Sequence, residues 1–200
     1  MRRALFCVAL FATMPALAQT EVAVKLSGAS YSSTDLALDP AGTAKVTFKN
    51  KLGYGASVSH YWTNHIAGEF EIHSLNSDLN IRFPNESINA GELRILSFSG
   101  VAQWHFTSAP RVDPYAGGGF AYMIGTFYPS AESGGTESVH LEDEFTFVAN
   151  AGVNFRVAPR TSIGFDARYI RYRPTDSESG DEGRLDVNPL IYSVVMRYRF

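Results

Sequence analysis

Apolar and polar side chains alternate along this chain over long stretches. Phe145, Phe147, Ala149, Ala151, Val153, Phe155 and Val157 are apolar or small, while the positions between them are polar or small, Val148 excepted. Successive side chains of a strand point to opposite faces, so such a segment is a strand with one apolar face. The same period of two runs through Leu190 to Phe200, Ile163 to Tyr169, Leu96 to Phe106, Ile66 to Ile72 and Tyr115 to Ile124. It is less regular over Val22 to Ser30 and Leu52 to Tyr61. Eight strands of roughly 9 to 14 residues follow, against the usual ~5 or 6.

The connections alternate in length. Short ones lie near Trp62 to His65, Thr107 to Val112 and Val157 to Thr161. Long ones lie near Tyr31 to Lys51, Ser74 to Gly91, Phe127 to Asp143 and Pro174 to Arg184. A tilted strand that crosses a bilayer needs about 9 to 11 residues, and outer-membrane barrels have short turns at one end and long loops at the other. The pattern predicts an all-β fold: an eight-stranded antiparallel transmembrane β-barrel with short periplasmic turns and four long extracellular loops. A soluble sandwich or lipocalin-like barrel is the competing reading. Against it stands the breadth of the apolar face, which in water would need a second layer of equal size. Aromatics also gather near strand ends, as in two girdles. Trp62, Trp104, Phe106, Tyr115, Phe155, Tyr198 and Phe200 lie near the short turns; Phe145 and Tyr169 lie toward the loops.

Composition narrows the class. Hydrophobic residues make up 45% and mean hydropathy is -0.08, too polar for a bundle of membrane helices. A formal charge of -3 excludes a basic nucleic-acid binder. At the N-terminus, Arg2 and Arg3 precede an apolar run from Ala4 to Met14, and Ala16-Leu17-Ala18 fits the small-x-small cleavage rule. Residues 1–18 are therefore expected to be a signal peptide cut near Ala18, and residues 19–200 the barrel. The expected location is the cell outer membrane of a Gram-negative bacterium. Cys7, the one cysteine, lies in that leader, so the mature barrel has no thiol chemistry.

With the strands placed, four stretches resemble the OmpW family of outer-membrane proteins, whose neighbours are the OmpA-like and OmpX-like small barrels. DPYAGGGFAYMIG (Asp113 to Gly125) resembles its PYxGxGxxY strand, and GYGASVSHYWTNHIAGEFEI (Gly53 to Ile72) its second hairpin. AGVNFRVAPRTSIGFDARYI (Ala151 to Ile170) resembles its sixth and seventh strands, and LDVNPLIYSVVMRYRF (Leu185 to Phe200) its closing strand. The first strand and first long loop match poorly. The resemblance implies a narrow channel for small, hydrophobic solutes, with a receptor or stress-adaptation role. The alternative is a structural or adhesion barrel with a filled lumen, acting through its extracellular loops.

Candidate chemistry lies on the face opposite the apolar one. Lys25, Glu69, Glu71, Arg156, Asp166, Arg168, Arg197 and Arg199 are expected to be lumen charges, either an internal salt-bridge plug or the groups that set a path's polarity. Leu36, Leu38 and Val46 in the first long loop are expected to line an outer entrance. Tyr198 and Phe200 end the chain as the closing strand, paired with the strand near Val22 to Ser30, and resemble the signal read by the barrel-assembly machinery. His73-Ser74-Leu75-Asn76 looks superficially like a deacylase motif, but adjacent strand residues point to opposite faces, so His73 and Ser74 should not meet. No catalytic residue, metal ligand or cofactor is assigned. Expected partners are outer-membrane lipid and lipopolysaccharide, the assembly machinery and small hydrophobic solutes, with no nucleic acid.

Overall fold

In the computed structural model, the described residues are 19–31, 34–38, 42–82, 87–106, 111–131, 137–172 and 187–200. They form β1 (Gln19–Ser30), β2 (Thr34–Leu38), β3 (Gly42–Asn50), β4 (Gly53–Tyr61), β5 (Ile66–Arg82) and β6 (Ser87–His105). Then follow β7 (Val112–Pro129), β8 (Val139–His140), β9 (Glu144–Ala158), β10 (Thr161–Ile170) and β11 (Leu190–Arg199).

Eight of these strands close a ring. β1 pairs antiparallel with β4, and the ladder continues through β5, β6, β7, β9, β10 and β11. β11 returns to β1 in a register that runs from Glu21 opposite Arg199 to Ser30 opposite Leu190. Phe200 donates its backbone N–H to Thr20 O at 3.1 Å, so the chain end is tied into the seam. Closure leaves no free edge in the ring of eight, which is what allows its strands to sit in hydrocarbon.

The remaining strands extend the wall outward. β3 pairs with the outer part of β5, from Lys45 opposite Arg82 to Asn50 opposite Ser77, and β2 pairs with β3. β8 pairs with β7 at Thr126 and Phe127. Two stretches read from the sequence as loops, near Tyr31 to Lys51 and Ser74 to Gly91, are therefore largely ladder. The reason is a change of sign in the alternation. Below His73, β5 carries Phe70 and Ile72 outside with Glu69 and Glu71 inside; above it, Ser74, Asn76 and Asp78 face outward and buried Leu75 faces inward. β6 changes in the same way, with Leu96 outside and Ser97 inside below, Arg94 outside and Ile95 inside above. The strand continues out of the bilayer, and each face exchanges its polarity as water replaces lipid. A bulge between Leu79 and Asn80 faces Gly91, which holds φ at 150°. A Cβ there would also fall 2.2 Å from the Tyr128 carbonyl, so this turn of the wall requires glycine.

On the lipid side, Trp62, Trp104, Phe106, Phe155, Tyr198 and Phe200 are exposed near the periplasmic end, and Phe145 and Tyr169 near the other. Tyr115 does not belong to this girdle: it is 2% exposed and lies in the lumen. Its odd number already placed it on the polar face of β7, opposite in parity to Ala116 and Phe120.

Candidate functional site

The lumen is the concave chemical environment of this chain, and it is stratified. At the periplasmic mouth, Arg199 pairs with Glu21, the Nε–Oε1 distance being 2.6 Å, and Tyr61 donates to Glu21 at 3.2 Å. His105 Nδ1 lies 2.8 Å from Asp113. A cavity of about 20 Å³ lies among Glu21, Arg111, Asp113, Asn154, Arg156 and Arg199, room for little more than one water.

The next layer is an ionic cluster. Lys25 from β1, Glu69 and Glu71 from β5, Asp166 and Arg168 from β10, and Arg197 from β11 are all buried. Glu69 is the hub: Lys25 lies at 3.1 Å, Arg168 at 2.6 Å and Arg197 at 3.0 Å. Glu71 pairs with Lys25 and lies 3.0 Å from Arg168, and Lys25 is 3.8 Å from Asp166. Three cations face three carboxylates, so the charges cancel, as burial demands. Neutral groups complete the cluster. Tyr115 donates to Asp166 at 2.8 Å and accepts from Arg197 at 3.1 Å; Arg197 Nε donates to Asn154 at 3.1 Å; Arg168 donates to Ser99 at 2.6 Å. Gly152 provides the space for Tyr115, since a Cβ there would fall 2.5 Å from the Tyr115 hydroxyl.

Above it stands a three-member relay. Ser27 Oγ lies 2.6 Å from His73 Nε2, and His73 Nδ1 lies 2.9 Å from Glu71 Oε1. A carboxylate only accepts, so Nδ1 carries a proton; in the neutral ring Nε2 then accepts from the Ser27 hydroxyl. The arrangement has the connectivity of a nucleophile, a base and an orienting acid. All three members are nonetheless at most 3% exposed, and Glu71 is also held by Lys25 and Arg168. Buried in this way, the relay joins the ionic layer to what lies above.

Toward the outside the lumen becomes apolar. Ala29, Leu75, Leu93, Ile95, Val101, Ala121, Met123, Val148, Ile170, Tyr172, Val187 and Ile191 form one buried cluster, with Tyr31, Phe48 and Leu141 packed against it. Among the described residues the Tyr172 hydroxyl, itself buried, has no hydrogen-bond partner. Two larger concavities, about 490 and 590 Å³, lie on the lipid face instead, lined by residues such as Val24, Ala56 and Phe70, and Leu26, Phe165 and Tyr192.

Of the lumen charges expected from sequence, the fold brings together Lys25, Glu69, Glu71, Asp166, Arg168 and Arg197. Arg199 finds Glu21 rather than Glu69, Glu71 or Asp166, because the β1–β11 register places Glu21 directly opposite it. Arg156 sits exposed at the periplasmic rim and makes no ion pair among the described residues. Leu36, Leu38 and Val46 have backbones in β2 and β3, and their side chains lie outside the described residues, as does the whole of the expected signal peptide. Tyr198 and Phe200 are exposed, their rings packed edge to face at 5.4 Å. Sequence reasoning missed Glu21, Ser27 and Tyr115 as lumen groups, and read His73 only as a polar residue of girdle or lumen. Strand parity was the available signal; which of them meet was not readable.

Comparison with known proteins agrees with this architecture. Residues 4–200 match the family described as outer membrane protein beta-barrel domain. The chain is 21% identical over 149 residues to an uncharacterized outer-membrane protein, y4mB, of Sinorhizobium fredii, covering 72% of this chain and spanning 63% of that protein. The fold is similar to the outer membrane protein OprG from Pseudomonas aeruginosa, with a TM-score of 0.72, 16% identity and coverage of 91% and 95% of the two chains. It is also similar to the outer membrane protein AlkL in lipid bilayers, with a TM-score of 0.63, 18% identity and coverage of 91% and 90%. The chain belongs to the outer-membrane β-barrel family and is an outer-membrane protein of a Gram-negative bacterium.

Proposed function

We propose that this member of the outer-membrane β-barrel family admits small hydrophobic solutes from outside into the apolar half of its lumen. The observation that carries this reading is the stratification: an apolar outer half above a neutralised, closed ionic half. Water-filled diffusion channels need a polar lumen throughout, and this one is apolar at the end where solutes would arrive. The Tyr172 hydroxyl, unpartnered among the described residues, is a group to which one polar atom of such a solute would bond. The resemblance to the OmpW family points the same way. Lys25, Glu69, Glu71, Asp166, Arg168 and Arg197 act in this reading as a floor that blocks hydrated ions, with Arg156 and Arg199 at the rim below it. Leu36, Leu38 and Val46 belong to the entrance, and Tyr198 and Phe200 to assembly. Residues 1–18 are removed after Ala18, which the intact mass of the exported protein would report.

The buried ionic floor supports a second reading, a structural or adhesion barrel acting through its loops. Uptake into liposomes separates the two. Full-length barrel refolded in vesicles is expected to speed entry of an apolar fluorescent solute into the vesicle membrane while passing no measurable ion current in a planar bilayer. Ile95→Asp should abolish the uptake. Uptake indistinguishable from empty vesicles would overturn the channel reading in favour of the structural one.

A further inference from the structure

The outward face of the wall carries a charged lattice just above the apolar band. On β6 that band runs nine residues from Leu96 to Trp104, the length needed to span hydrocarbon. Immediately outside it, Lys51 Nζ lies 2.7 Å from Asp78 and 2.9 Å from Glu92. Arg94 Nε lies 2.7 Å from the other oxygen of Glu92, and its guanidinium stands 4.6 Å over the Tyr128 ring. Lys49 is exposed and lies opposite Asp78 in the β3–β5 register, with no ion pair among the described residues. Asp78 shares parity with outward-facing Ile72 on β5, Glu92 and Arg94 share parity with Leu96 on β6, and Lys49, opposite Asp78 in the register, lies on the same face. Lys51 and Arg94 are 42% and 55% exposed, so the lattice is open to whatever surrounds the barrel at this depth.

We propose that Lys49, Lys51 and Arg94 bind the phosphorylated sugar headgroup of lipopolysaccharide in the outer leaflet. Among the described residues, three cations against two carboxylates leave the patch positive, which suits a phosphate. Arg94 uses only Nε in its bond to Glu92, so its terminal amino groups remain for a planar two-point bond to phosphate oxygens. Asp78 and Glu92 hold the cations in one row and can accept from sugar hydroxyls. The acyl chains of such a lipid would lie along Leu52, Tyr54 and Leu96, directly below. Headgroup depth, net positive charge and an apolar wall beneath fit an anionic saccharolipid better than a soluble anion, which gains nothing from the wall.

The test is lipid binding to the refolded full chain in zwitterionic detergent, read as lipid adducts by native mass spectrometry. Bisphosphoryl lipid A is expected to bind at least tenfold more tightly than the same lipid with its phosphates removed. The double substitution Lys51→Gln with Arg94→Gln should reduce that binding about tenfold, whereas Arg160→Gln in a periplasmic turn should leave it unchanged. Lys49→Gln, which disturbs no ion pair among the described residues, should cost about threefold and serves where the double variant folds poorly. Equal binding of phosphorylated and dephosphorylated lipid would overturn the proposal. So would equal binding of phosphatidylglycerol, or an unaffected Lys49→Gln variant.

Discussion

The two halves of the lumen are built by the same strands yet solve opposite problems. In the lower half, β1, β5, β10 and β11 present Lys25, Glu69, Asp166, Arg168 and Arg197 to one another, and lipid surrounds the wall. In the upper half, β5 and β6 present Leu75, Leu93 and Ile95 inward, and the wall outside carries Ser74, Asn76, Glu92 and Arg94. Where the outer face must be apolar to meet lipid, the inner face carries the polar groups. Where the outer face meets headgroups and water, the inner face is released to be apolar. The lower half is held by directional, mutually dependent contacts; the upper half by non-directional burial.

That contrast predicts a graded response to substitution. Glu69→Gln should be the most damaging, because Lys25, Arg168 and Arg197 would lose the carboxylate they share. About 3 to 5 kcal/mol is expected, measured by urea unfolding in detergent. A loss below about 1 kcal/mol would mean that the cluster is hydrated rather than dry. Ile95→Ala tests the other half by creating a cavity, with an expected cost of about 2 to 4 kcal/mol in the same assay. Little or no loss there would show that Ile95 is not packed against its neighbours. Ser27→Ala lies at the junction and removes the hydroxyl bonded to His73 Nε2, for about 1 to 3 kcal/mol. The free-energy change should be accompanied by a shift of the His73 ring resonances, and unaltered resonances would contradict the relay.

The smallest effect belongs to the collar outside the bilayer. The hydrogen bond from Arg94, and then that from Lys51, favours the Glu92 carboxylate and holds its pKa below the ordinary 4.5. The Lys51–Glu92–Arg94 contacts are thus fully present above that ordinary value. They are lost as the pH falls through the lowered one. Carboxyl NMR of Glu92 reports this directly, and titration at or above 4.5 would remove the lattice from the account.

Much of this was legible in the residue order. The period of two in Phe145 to Val157 and Leu190 to Phe200 specified strands, and the parity of Arg197 and Glu69 specified their face. Two things misled. Reading for one apolar face hid the outer continuations of β5 and β6, because the pattern there survives with its polarity reversed. Treating aromatics near short turns as girdle residues misplaced Tyr115, whose parity already pointed inward. The pairing of Arg199 with Glu21 and of Ser27 with His73 could not have been read at all, since partners lie 178 and 46 positions apart.

Local order along the chain therefore determined the strands, their two faces and the length that crosses a bilayer. These depend only on alternation and on the cost of an exposed backbone in hydrocarbon. Tertiary structure decided which charges cancel, which serine meets the histidine, and where the lumen turns from ionic to apolar. Those outcomes depend on the register around a closed ring, where shifting one strand relative to its neighbours changes every cross-strand partner.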